Sequence, residues 1–167
     1  MKPLASLAIA GGLLLFAAVL APEGGGGDRG PTAHVTRIVD GDTIDVAIGA
    51  RAETVRYIGV DTPESRAPGT APQCYAKAAH AFNRELVEDE TVRLEFDVER
   101  RDRYGRLLAY VRRDRDGLLV NSELVKDGYA RTLTIPPNVA RAALLAGLQR
   151  AARTAGRGLW GACGSGA

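Results

Sequence analysis

The sequence predicts an α+β domain: a small closed barrel of five strands carrying three α-helices. Three observations lead there. Short stretches in which apolar and polar residues alternate fill the first half of the chain after an apolar start. One helix-like stretch interrupts them, and two more follow the last strand. The 167 residues are 46% apolar and 25% charged, a globular composition that allows one domain with a real core.

The start stands apart. After Met1-Lys2, residues 4–21 carry no charge, and Pro22-Glu23 and four glycines follow. A basic start, an apolar run and small residues at its exit read as an export signal, with Val19-Leu20-Ala21 as the cleavage pattern. As a helix the run would rise about 27 Å, just short of a hydrocarbon core, so an uncleaved membrane anchor is the other reading. The expected organisation is a leader or anchor over 1–21, a glycine-rich linker over 22–32, the folded domain over 33–163 and a short tail over 164–167. Both readings of the leader place the domain outside the cytoplasm. Cys74 and Cys163 are then expected to pair, because an oxidising compartment favours disulfides.

The elements follow in order. Over 35–48 the residues alternate, with Ile44, Val46 and Ile48 on one side, and Val39-Asp40-Gly41-Asp42 interrupts like a tight turn. A third strand is expected over 54–60, a helix over 72–88, a fourth strand over 92–99 and a fifth over 107–112 after Tyr104-Gly105. A short helix over 121–127 ends at Gly128, and Asn138 is expected to cap a last helix running to about 155. Leu144, Leu145 and Leu148 are assigned to the core, and Trp160 to packing of the C-terminal tail. Five short strands with one inserted helix suit a closed barrel, and the OB-fold is the commonest five-stranded example.

Composition limits the chemistry. Two cysteines exclude a disulfide-stapled miniprotein and a four-cysteine zinc site, and two histidines leave little for a histidine-rich metal centre. Hydrolytic chemistry would rest on carboxylates, arginines and a bound ion. Strand parity picks out which. Asp42 shares its side with Ile44 and Val46, Arg56 with Ile58 and Val60, and Arg106 with Leu108 and Tyr110. Charges on an apolar-facing parity must meet one another, an ion or an anionic ligand at the barrel mouth. Asp61-Thr62-Pro63-Glu64 adds two acids at a rigid turn. Asp42 and Asp61 are hard oxygen ligands suited to Ca²⁺ or Mg²⁺, Glu64 can activate or orient water, and Arg56 and Arg106 match phosphate oxygens bidentately. That set is what phosphodiester hydrolysis needs.

Three segments carry a resemblance: VTRIVDGDT at 35–43, RYIGVDTPE at 56–64 and DRYGRLLAY at 102–110, with Gly158-Leu159-Trp160 near the end. In kind, order and approximate spacing they resemble the signature segments of the staphylococcal nuclease family, across 33–163. The resemblance implies an OB-fold barrel with helices and a Ca²⁺-dependent nuclease that cleaves DNA and RNA. It assigns Asp42 and Asp61 as Ca²⁺ ligands, with the Thr62 carbonyl, and Asp40 as an acid behind them. It assigns Arg56 and Arg106 to the scissile phosphate, Glu64 as general base or water-orienter, and Arg103 and Tyr104 to a neighbouring phosphate. One departure stands out. Familiar members carry tyrosines after the short helix that stack on a base or sugar, and here 131–137 reads RTLTIPP. Weaker or differently placed base contacts are expected.

Charge agrees with a polyanionic partner, although the formal net charge is only +2. After Asp127 there is no acid, but there are Arg131, Arg141, Arg150, Arg153 and Arg157. Arg150, Arg153 and Arg157 are expected on one helical face opposite Leu144, Leu148 and Ala155. Such patches strengthen nucleic-acid binding and make it salt-dependent. A monomer is expected, since nothing in the pattern asks for a second copy. The alternatives are a catalytically silent nucleic-acid-binding module at the cell surface and an exported domain stabilised by Ca²⁺. The complete set of acids, arginines and glutamate favours the enzyme.

Overall fold

The computed structural model of the protein describes residues 30–65, 69 and 71–164. The expected leader, most of the linker and residues 165–167 lie outside the described residues. The chain folds as β1 (Thr32–Asp40), β2 (Thr43–Ile48), β3 (Arg51–Tyr57), β4 (Gly59–Asp61), α1 (Ala76–Val87), β5 (Thr91–Glu95), β6 (Leu107–Arg113), α2 (Val120–Lys126), β7 (Arg131–Leu133), α3 (Ala142–Thr154) and the single turn α4 (Leu159–Ala162).

Five strands close a barrel in the order β1-β2-β3-β6-β5, and β5 pairs back onto β1. The alternation over 35–48 makes a hairpin in which Ile38 faces Ile44 and Asp40 faces Thr43. A second hairpin turns at Gly49, in the left-handed region, and pairs Ile48 with Arg51. The parallel pairing of β3 with β6, Val55 against Leu107 and Tyr57 against Ala109, completes the wall. Its interior is Val35, Ile44, Val46, Val55, Tyr57, Val92, Leu94, Leu107, Ala109 and Val111, all buried, with Leu124 and Val125 of α2 packed below. Each such aliphatic side chain contributes about 1.5–3 kcal/mol.

The third predicted strand splits at Ile58. Gly59 has φ +79°, and a Cβ there would lie 2.5 Å from Leu145 Cδ1. The chain therefore leaves the barrel, and β4 pairs with β7 in a separate two-stranded ribbon, Asp61 opposite Arg131 and Gly59 opposite Leu133. The fourth strand ends at Glu95, short of 99, and Val98 is 71% exposed. Asp97 accepts hydrogen bonds from the N–H groups of Val98 and Ala140, so side chains replace the ladder there. Asn138 is not a helix cap. It is buried, accepts from Glu99 N–H and donates to Glu99 C=O, while α3 begins four residues later. Leu144 is exposed; Leu145 and Ala152 form the buried face of α3. Ala155 is exposed and Arg157 lies past the helix end, so the expected arginine face covers only Arg150 and Arg153.

Three buried asparagines hold backbone where strands stop. Asn83 of α1 donates to Asp40 C=O and accepts from Tyr57 O–H. Asn121 of α2 accepts from Val111 N–H and donates to Ile58 C=O. Asn138 does the same for Glu99. Buried backbone groups that lose a ladder partner need such replacements. Cys74 and Cys163 form a disulfide that joins the segment before α1 to the end of α4.

Candidate active site

The site sits where β1 turns into β2 and where β3 leaves the barrel. Gly41 makes the turn possible: a Cβ there would lie 2.7 Å from Thr62 Oγ1, so only glycine lets the 61–64 segment lie this close. Asp42, 5% exposed, is held from several directions. Its Oδ2 accepts from Thr62 N–H at 2.8 Å and Thr62 O–H at 2.9 Å, and its Oδ1 from Thr43 O–H at 3.0 Å. Arg56 Nη1 stands 3.1 Å from the same Oδ2, and Nη2 stands 3.0 Å from Asp61 Oδ1. The guanidinium also donates to the carbonyls of Val60 and Tyr57. One arginine side chain thus bridges two carboxylates and fixes the bend after β3.

Around this bridge the acids crowd. Asp40 accepts from Gly41 N–H and from Ser65 O–H, which faces it towards the 62–65 segment. Burial raises the Asp61 carboxyl above its ordinary range, Arg56 opposes this, and the Asp42 charge adds to it. Burial also raises the Glu64 carboxyl, and the charges of Asp40, Asp42 and Asp61 push it the same way against Arg56. Glu64 itself is exposed. Its backbone is clamped: its N–H donates to Gln73 Oε1 at 3.0 Å, and Gln73 N–H donates to its C=O at 3.1 Å.

A cleft of about 530 Å³ adjoins the bridge, with Arg56 at one side and Arg103, Tyr104 and Arg106 at the other. The 102–106 loop is tied to Asp102, whose Oδ1 accepts from Tyr104 and Arg106 N–H and whose Oδ2 accepts from Arg106 Nε at 2.7 Å. Burial works to raise the Asp102 carboxyl, but these bonds outweigh it and hold it below its ordinary value. Arg106 is therefore aimed by its Nε bond. Tyr104 is 68% exposed, with the Arg103 guanidinium 4.7 Å and that of Arg106 5.5 Å from its ring centre. Leu133 and Ile135, both exposed, form the facing apolar wall. Tyr129 does not reach it, being stacked on Phe82 at 4.0 Å.

The structure thus gathers Asp40, Asp42, Arg56, Asp61, Thr62 and Glu64 into one cluster and sets Arg103, Tyr104 and Arg106 along its cleft. Asp42, Arg56 and Arg106 do not share one side of the barrel wall. In β3 the barrel interior takes Val55 and Tyr57, and in β6 it takes Leu107, Ala109 and Val111. Arg56 and Arg106 stand on the outer parity, and only Asp42 follows the interior one. That outer side is apolar because α3 covers it near Gly59 and Tyr110. Sequence reasoning passed over Thr43, Ser65 and Gln73, which position Asp42, Asp40 and Glu64. Thr43 lies inside the first motif; Ser65 and Gln73 carry no local signal, since their partners are set by the path of the chain.

The donors at the cluster are all oxygen. Both cysteines are in the disulfide, and His34 lies on β1 and His80 on α1. Among the described residues no three carboxylate, histidine or cysteine groups form a closed metal cage. Two carboxylates and a backbone carbonyl leave room for water, which suits a hard divalent ion and not zinc. A cation there would also relieve the repulsion that raises Asp61 and Glu64.

A family model described as "Staphylococcal nuclease homologue" matches residues 54–162. The chain is 41% identical to the thermonuclease of Staphylococcus intermedius over 132 residues, 79% of this chain and 77% of that one. It is 38% identical to the thermonuclease of Staphylococcus hyicus over 129 residues, 77% of this chain and 75% of that one. Over 96 residues it is 49% identical to endonuclease YncB of Bacillus subtilis, covering 57% of this chain and 44% of the relative.

Proposed function

The chain belongs to the staphylococcal nuclease family and is a nuclease, and we propose that it cuts both DNA and RNA with Ca²⁺. The observation that carries the reading is the Arg56 bridge to Asp42 and Asp61, with Glu64 coupled to the same charges and Arg106 across the adjoining cleft. In this reading Asp42, Asp61 and the Thr62 carbonyl would hold the ion. When bound it supplies positive charge against the phosphoryl oxygens.

The chain's own groups do the rest. Arg56 and Arg106 neutralise the charge that builds on the pentacoordinate phosphorus, and the Asp102 bond to Arg106 Nε keeps that fork from wandering. Glu64 is exposed enough to meet water and holds the attacking one, accepting its proton. Arg103 and Tyr104 meet a neighbouring phosphate. Leu133 and Ile135 meet sugar or base by apolar contact without ring stacking, so the base contacts are weaker. Export is part of the same proposal: the apolar run over 4–21 and the disulfide both favour work outside the cytoplasm.

The test is cleavage of single- and double-stranded DNA and RNA with Ca²⁺, with Mg²⁺ and with chelator, beside Glu64→Gln. Cutting should need Ca²⁺, fall away in chelator and drop by at least about a hundredfold in the variant, as for loss of a general base. Folded protein that binds but never cuts would instead make it a binding module.

A further inference from the structure

A second cleft, of about 500 Å³, opens at the other end of the β4–β7 ribbon. Gly59, Val60 and Leu133 line the first cleft, whereas Pro63 and Arg131 line the second. Because Gly59 pairs with Leu133 and Asp61 with Arg131, the ribbon leads from one cleft to the other, past the Arg56–Asp61 bridge. The floor of the second cleft is the Cys74–Cys163 disulfide.

The two clefts differ in character. The first offers Tyr104, Leu133 and Ile135, suited to a sugar or base. Among the described residues no carboxylate and no large apolar side chain lines the second, and the one charged group there is Arg131. The Trp160 ring supports that guanidinium 5.9 Å from its centre, and Arg153 lies 4.9 Å from the same ring. A trough whose described lining carries an arginine and no carboxylate, beside a hydrolytic centre, suits phosphate backbone more than bases.

We propose that this second cleft carries the nucleic-acid strand on the side of the scissile bond away from Tyr104, with Arg131 paired to the next phosphate. The proposal rests on the nuclease reading above. It makes the substrate a strand that crosses the ribbon, and it assigns Arg131 a phosphate of its own beyond its role as a neighbour of Asp61.

The two roles are separable. Single-stranded hexanucleotides are cut by the full-length protein, and kcat/KM is read at one central bond by product mass. A methylphosphonate, which has no charge, replaces either the linkage before that bond or the one after it. Arg131→Ala should lose about tenfold on the fully charged strand, with most of this in KM, and Arg131→Lys should recover much of it. At one of the two linkages the uncharged group should cost the wild type about tenfold and cost Arg131→Ala nothing more. Additive losses at both linkages, or a loss in Arg131→Ala confined to kcat and Ca²⁺ affinity, would overturn the subsite and leave Arg131 as a partner of Asp61 alone. No cleavage of the unmodified strand by wild type would instead overturn the nuclease reading itself. Melting curves of both variants would show that they are folded.

Discussion

At the scale of single residues, the charged groups of the cluster are held by neutral ones. Asp42 depends on Thr43 and Thr62, Asp40 on Ser65, and Glu64 on Gln73. Gln73 is the clearest case, because Glu64 is exposed and has no strand to fix it. Its backbone is aimed by two hydrogen bonds to one residue nine positions on. Gln73→Met removes the acceptor while keeping the length of the side chain. One such bond contributes about 1 kcal/mol, so kcat should fall about fivefold. The metal affinity should hold, since neither Asp42 nor Asp61 is touched. Steady-state kinetics with a Ca²⁺ titration reads both. The charged members were legible because each lies in a motif of unusual composition. Arg56 shares its parity with Ile58 and Val60, which lie past the end of β3, and Arg106 shares its parity with Leu108 and Tyr110 on the outer side of β6, where the Tyr110 hydroxyl oxygen accepts from Arg141 N–H at the start of α3. Alternation shows that a charge has apolar neighbours; it does not show which layer they belong to.

At the scale of elements, the regular parts were legible and the exits were not. The 35–48 hairpin follows its alternation, α1 and α3 lie inside their expected spans, with α3 starting late, and α2 starts one residue before its own. The misses fall where a side chain takes over from the ladder. The strand predicted to 99 stops at Glu95 because Asp97 and Asn138 capture the backbone beyond it. The strand predicted over 54–60 breaks at Ile58, where Asn121 accepts from one segment and donates to another. Such captures join residues tens of positions apart, so no local window contains them. They also place the site, since the break at Ile58 sends β4 off the barrel and carries Asp61 to Arg56. Asn121→Leu should therefore be costly. It fills the space but leaves Val111 N–H and Ile58 C=O buried without partners, about 1–3 kcal/mol each. A loss of about 2–4 kcal/mol in urea unfolding, with an unchanged slope, is expected. A loss below about 1 kcal/mol would mean that water or relaxation re-satisfies the kink.

At the scale of the whole molecule, barrel, ribbon and C-terminal helices meet around one centre, and the disulfide closes the outer ring. Cys74 follows directly on the clamp residue Gln73, and Cys163, 89 positions later, follows directly on α4. Closing so long a loop restricts the unfolded chain by about 4 kcal/mol in the chain-entropy account. The end of the chain has packing of its own: Leu159 is fully buried, and the N–H of Leu159 donates to Gly128 C=O at 2.8 Å. The two contributions act on different states, the packing on the folded protein and the cross-link on the unfolded one, so they should add. Replacing both cysteines, Cys74→Ala with Cys163→Ala, should lower the unfolding free energy by about 4 kcal/mol and the melting midpoint by about 10 °C. Domains of this kind are stable by about 5–15 kcal/mol, so the variant should still fold at 25 °C. Calorimetry of the oxidised wild type, the reduced wild type and the double variant checks this, because reduction and substitution should give the same shift. A shift in the variant alone would point to the lost side-chain packing, and a shift below about 2 °C in both would mean that α4 already holds the two ends together in the unfolded ensemble.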